Sequence, residues 1–171
     1  TGVTEGIVIG KTVNHICYNN FILGVKSGLV LEDGADATVL AHGTDGGNFS
    51  MSVRGKLAKP ATLINSQLVA VAGRDMAYIN GEEGFDGTVN LIQTNMWGTP
   101  GNALIWRGGN INLSQGTILG GDPRALDPSR QRVYGRGQYS AVGSLCRYLY
   151  RTGGRFGTGG RQPLCQRHEG G

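Results

Sequence analysis

What this chain has little of narrows it first. Charged side chains make up only 16% of its 171 residues, against 39% that are apolar. It is therefore not one of the highly charged chains that stay unfolded for want of apolar surface to bury. Aromatic residues are few, at 7%. There are 5 prolines and, despite 31 glycines, no every-third-residue glycine period, which excludes a collagen helix. No apolar run approaches the roughly 18 residues that a membrane-spanning helix needs, so no membrane partner is expected. Stretches rich in Ala, Glu and Lys are missing, which argues against a helical bundle. Cysteine occurs 3 times, far apart and without a CxxC pair, so zinc is not expected. Cys17 reads as a core residue, and Cys146 with Cys165 as a pair that an oxidising compartment would allow to join. The chain starts at Thr1 without Met or a charged-then-apolar leader, and reads as a processed product or a piece of a longer protein.

The net charge of +4 hides two compositions. Residues 1–120 hold four Lys and three Arg against nine acids, a balance of −2. Residues 121–171 hold nine Arg, no Lys and three acids, a balance of +6. A boundary is expected near Gly120–Asp122, with 121–171 an irregular or flexible Arg/Gly-rich tail. RTGGRFGTGGR (151–161) resembles an RGG-type segment, which would bind nucleic acid electrostatically. A solvated charge excess is the simpler reading, so nucleic acid is not the expected partner. Out-of-frame translation of G/C-rich DNA would also give Arg without Lys.

The first 120 residues repeat. Three 19-residue stretches align without gaps: ICYNNFILGVKSGLVLEDG (16–34), LINSQLVAVAGRDMAYING (63–81) and LIQTNMWGTPGNALIWRGG (91–109). The alignment sets Ile16 with Leu63 and Leu91, and Asn20 with Gln67 and Asn95. It also sets Phe21 with Leu68 and Met96, Leu29 with Met76 and Leu104, Leu31 with Tyr78 and Trp106, and Gly34 with Gly81 and Gly109. A looser unit, ATVLAHGTDGGNFSMSV (37–53), fills the wider gap, and NINLSQGTIL (110–119) is a partial one. The spacing of about two dozen residues points to a leucine-rich repeat or a β-solenoid, and the fixed Leu and Asn spacing of the former is missing. Each unit is instead a set of short apolar runs broken by Asn, Gly or Asp-Gly. Such short strands bury too little to stand alone. Stacked in parallel about 4.8 Å apart, they pile equivalent side chains into columns. Leu31, Tyr78 and Trp106 are one expected inner column. Asn20, Gln67 and Asn95 are an expected amide ladder at a sharp turn, and the three glycines suit turns with φ > 0. The inward face of the first strand is open: His15, Cys17 and Ile64 compete with Ile16 and Leu63, and a one-residue slip exchanges them. The fold class is all-β, a parallel β-helix of about five coils over residues 1–120.

HICY-NN-FILGV-KSG-LVLEDG and SGLVLEDGADATVLAHGTDGG resemble successive coils of the pectin-lyase-like superfamily, in particular its rhamnogalacturonase- or epimerase-like pectate-lyase domains. The resemblance covers residues 6–120, about two-thirds of the chain. It implies a right-handed parallel β-helix with three strands per coil and an asparagine ladder between the second and third. It also implies a secreted or cell-surface protein acting on acidic polysaccharide, related to polysaccharide lyases and glycosidases. Members of that superfamily usually have eight or more coils, so this chain reads as a segment inactive by itself. The alternative is a non-catalytic glycan-binding β-helix, such as a phage tail fibre or adhesin, and a trimer if tail-fibre-like.

The chemistry is sparse. The NTD, DD, GHG and RIK motifs of polygalacturonase-type hydrolases do not occur. His42 and Asp45, in the Gly-rich AHGTDGG, are candidates for a base and its orienting or metal-binding acid. A turn in which Asp45 caps backbone amides is the plainer alternative. Asp75 is a third catalytic candidate. With Glu82, Glu83 and Asp86 it could gather acids on one side of adjacent coils, and the latter three could bind Ca²⁺, which takes 6–8 oxygens. A solvated acidic loop is the competing reading. Arg107 could pair with a substrate carboxylate or simply point outward. Trp97 and Trp106 could stack on sugar rings; Trp106 fits the apolar column better, which leaves Trp97 as the surface candidate.

Overall fold

Short apolar runs separated by turn residues build a parallel β-solenoid with no helix among the described residues. The computed structural model describes residues 3–120 together with the strands Arg132–Gly135 and Gln138–Ala141. Five stacked rungs, about four full turns from first to last, cover the part before residue 121. Every pairing between strands is parallel, and three ladders run along the axis.

The first ladder stacks β1 (Glu5–Ile9), β4 (Ser27–Leu31), β7 (Phe49–Val53) and the second halves of β9 (Gln67–Gly81) and β11 (Asn95–Trp106). The second stacks β2 (His15–Tyr18), β5 (Ala37–Leu40), β8 (Ala61–Ile64), β10 (Thr88–Ile92) and β12 (Asn110–Ser114). The third stacks β3 (Phe21–Leu23), β6 (Gly43–Gly47), the first halves of β9 and β11, and β13 (Thr117–Gly120). β9 and β11 turn the corner as continuous strands and so join the third ladder to the first. β14 (Arg132–Gly135) adds to the first ladder and β15 (Gln138–Ala141) to the second, so two strands beyond residue 120 continue the stack. The Cys146–Cys165 pair and the RTGGRFGTGGR segment lie outside the described residues.

Alternation does the rest. In β5 and β8 the pattern is buried, half-buried, buried, half-buried, as a strand with one face to a core requires. The resulting column is Cys17, Val39, Leu63, Leu91 and Leu113. The first repeat is thus one residue out of the sequence alignment: Cys17 faces inward at 6% exposure, and Ile16 faces water at 67%. The first rung carries Ile16, Tyr18, Phe21 and Leu23 on its outer surface, and those exposed aliphatic and aromatic residues mimic an inward pattern.

Two expected columns change. Leu31 and Trp106 share a column, but its members are Ile9, Leu31, Val53, Gly81 and Trp106, not Tyr78. Gly81 is needed there for space. A Cβ on it would sit 2.6 Å from the Trp106 ring, and the glycine is not in a left-handed conformation, unlike Gly34 and Gly109. Tyr78 is buried beside this column and its hydroxyl donates to the Gly98 carbonyl at 3.3 Å. Trp106 meets Phe85 edge-on, ring centroids 5.3 Å apart, a geometry worth about 1 kcal/mol beyond burial.

The amide ladder also moves. Asn20 does not share a column with Gln67 and Asn95. The turn between the second and third ladders is made in each rung by one residue in the left-handed region, at φ near 50°: Asn19, Ala41, Asn65, Gln93 and Gln115. Four of the five are amides, the residue type that with glycine best tolerates that conformation being Asn. The residue that follows turns inward, giving a column of Asn20, His42, Ser66, Thr94 and Gly116. Its carbonyls accept the amides of Gly43, Gln67, Asn95 and Thr117 in succession, so the backbone ladder runs unbroken around the corner.

Candidate ligand-binding face

The catalytic candidates do not converge. His42 sits in the inward turn column at 1% exposure, with neither ring nitrogen hydrogen-bonded. Burial pushes its pKa down to about 4, so it is neutral through the physiological range. It could accept a proton, but lies inside the wall where no dissolved substrate reaches it. Asp45, three residues on, points outward from β6 as the register neighbour of the exposed Leu23. His42 and Asp45 are therefore on opposite sides of the same wall, because two residues of odd separation in an extended strand face opposite ways. Asp75 is exposed at the corner where β9 passes from the third ladder to the first.

Glu82, Glu83, Asp86 and Arg107 belong to another corner, where the first ladder turns toward the second. The residue after each first-ladder strand continues the register: Gly10, Glu32, Arg54, Glu82 and Arg107, linked by Glu32 N–H to the Ile9 carbonyl, Arg54 to Leu31, Glu82 to Val53 and Arg107 to Gly81. Charge alternates rung by rung along this corner. Lys11 stands in the first turn, Glu32, Asp33 and Asp36 in the second, Arg54, Lys56 and Lys59 in the third, Glu82, Glu83 and Asp86 in the fourth, and Arg107 in the fifth. The pairs close: Arg54 reaches Glu32 at 2.6 Å and Glu5 at 2.8 Å, Lys59 reaches Asp36 at 2.8 Å, and Lys56 reaches Asp86 at 3.5 Å. The two glutamates raise the Arg54 guanidinium above its ordinary pKa. Hydrogen bonds from Lys59 and from the Asn14 amide hold the Asp36 carboxyl below the usual range. Among the described residues no three His, Cys, Asp or Glu side chains are grouped to hold a metal ion. The acids expected for Ca²⁺ sit within this alternating stack.

The surface that does gather binding groups is the outer side of the third ladder and its leading corner. No protein-family model, curated protein or solved structure matches this chain. Successive rungs present Asn19, Phe21 and Leu23; Ala41, Gly43 and Asp45; Asn65 and Gln67, with Val69 buried in the row of Trp97; then Gln93, Asn95 and Trp97. Trp97 is 44% exposed and Phe21 66%. Phe21 lies over the next rung, where a Cβ on Gly43 would stand 2.7 Å from its ring. Its ring is therefore about two rungs, roughly 10 Å, from the rung of Trp97. Gln67 is exposed between them. Asn95 Oδ1 accepts the Thr117 hydroxyl at 2.6 Å, which fixes the orientation of the half-buried amide. Sequence reasoning found Trp97 and put Gln67 and Asn95 at one turn, but placed the amides inside. The repeat alignment sets Phe21 with Leu68 and Met96, which are buried, whereas Phe21 faces out. The clue that separates them is the position two residues after the left-handed turn residue, which always faces out.

Proposed function

We propose that the solenoid is a glycan-binding module, a carbohydrate-active β-helix that holds a polysaccharide along its outer face without cleaving it. The observation that carries this reading is the pairing of two exposed aromatic rings, Phe21 and Trp97, with the amides of Gln67 and Asn95 on a single parallel face. Aromatic rings offer flat apolar surfaces to the C–H faces of sugars, and planar amides donate to and accept from hydroxyls. Bond cleavage would need an acid and a base within about 3 Å of one bond. His42, Asp45 and Asp75 are instead divided between the interior, the third ladder and a corner. The relation to polysaccharide lyases and glycosidases, and a secreted or surface location, rest on the sequence resemblance and remain part of the proposal.

Affinity electrophoresis of the full chain through gels containing polysaccharide tests it. Retardation by at least one polymer is expected, reduced about tenfold in apparent affinity by Trp97→Ala and by Phe21→Ala. Unsaturated-product absorbance on polygalacturonate or alginate, with or without Ca²⁺, is expected to stay at background. Absorbance that rises with protein concentration would replace this reading with catalysis.

A further inference from the structure

Resting on the glycan-binding reading, we infer that the ligand of the third-ladder face is an uncharged polysaccharide lying parallel to the solenoid axis, not the acidic one that the sequence resemblance implies. The charge distribution carries the argument. Among the described residues, the outward positions of this face and its leading corner from Asn19 to Thr117 are amides, Phe21, Leu23, Ala41, Gly43, Trp97 and Thr117, with Val69 buried in the same row and Asp45 as the one ionisable group. On these positions a polyuronate would meet one carboxylate and no cation among the described residues; Lys26 is exposed beyond Leu23, at the corner toward the first ladder. Lys11, Arg54, Lys56, Lys59 and Arg107 all stand at the corner between the first and second ladders, three of them in ion pairs. An anionic polymer on the Trp97 face would thus give up solvation with no compensating charge.

The geometry sets the direction. Asn65, Gln93 and Gln115 expose their amides one rung apart, held in a fixed backbone conformation, so equivalent hydrogen-bonding groups recur about every 4.8 Å along the axis. A linear polymer running that way meets the same donor and acceptor set at each step, and crosses Phe21 and Trp97 at its apolar ring faces. A second copy of the chain fits less well. Five strands of about four residues give a face of roughly 24 by 13 Å, or about 300 Å², well short of the ~800 Å² per partner of a stable protein interface.

The test compares neutral polymers (xyloglucan, galactomannan and mixed-linkage β-glucan) with polygalacturonate and alginate in the same gels, for the full chain and for Trp97→Ala, Gln67→Ala and Asp45→Lys. The expected result is retention by a neutral polymer that is insensitive to salt and weakened about tenfold by Trp97→Ala and severalfold by Gln67→Ala. Asp45→Lys should then add a Trp97-dependent retention by polygalacturonate that the unmodified chain lacks. If only acidic polymers retain the chain, and Trp97→Ala abolishes it, the neutral assignment falls while glycan binding stands. If no retention depends on Trp97, both fall. Unchanged circular dichroism of each variant separates lost binding from lost fold.

Discussion

The Arg54 guanidinium lies 2.6 Å from the Glu32 carboxylate of the preceding rung and 2.8 Å from Glu5 of the rung before that. One side chain therefore ties three successive turns of the solenoid on its outer surface. The three side chains are each about a third exposed or less, so the attraction is partly screened but shared between two partners.

Arg54→Ala is expected to lower unfolding free energy by about 1 kcal/mol, the upper end for a surface pair and reasonable for a bidentate network. The loss should shrink in high salt, because exposed pairs are screened over roughly 10 Å at 0.1 M. Urea unfolding at low and high ionic strength measures both.

His42 makes the fold acid-sensitive. Its pKa is about 4 in the folded chain against 6.5 for an ordinary histidine. The unfolded chain therefore takes up this proton first as pH falls, so the contribution is intact above about pH 6.5 and drains away between there and pH 4. The full difference is about 3 kcal/mol. His42→Leu removes both unpaired ring nitrogens and should flatten this limb: the variant should gain on the parent as the urea midpoint is followed from pH 7.5 to 4.5. An identical slope in both would place the acid sensitivity elsewhere.

Gly81→Ala should cost about 2 kcal/mol, in the range for overfilled cores. The added methyl would meet the Trp106 ring, which is itself fully buried and packed on Phe85. Thermal unfolding and Trp fluorescence would show the drop together with a displaced indole.

Ala41 is the only member of the left-handed turn column without an amide. Because L-residues lacking a compensating side chain are strained there by roughly 1 kcal/mol, Ala41→Asn should stabilise by several tenths of a kcal/mol, and Ala41→Val should destabilise. Chemical denaturation of the two variants gives opposite shifts if the turn is as described.

Much of this architecture was legible in the sequence. The two-dozen-residue period and the Leu31–Trp106 column are direct consequences of stacking. Cys17 is in the core, as read from the sequence; the repeat alignment slips where outward residues are as apolar as inward ones, setting Ile16 in the place of Cys17 and Phe21 in that of Ile22. Periodicity of two carries no sign, so a strand with apolar residues on both faces does not say which is inside. Tyr78 was misplaced by three because β9 turns a corner with extra residues between Ala70 and Ala77, and the register shifts there. Of the candidate site, Trp97 was readable as a lone exposed aromatic near a turn. Its partnership with Phe21 was not, since the two are brought onto one face only by the fourth pass of the chain. The separation of His42 from Asp45 likewise needed the inward turn column, which no local pattern announces.

The alternating charges at the corner between the first and second ladders limit how this molecule could grow. Duplicating or deleting one interior unit would set two cationic turns, or two anionic ones, directly on each other, whereas gaining or losing units in pairs preserves the alternation. Lineages of this solenoid should therefore differ in length by even numbers of repeats, unless a compensating reversal of sign accompanies the change.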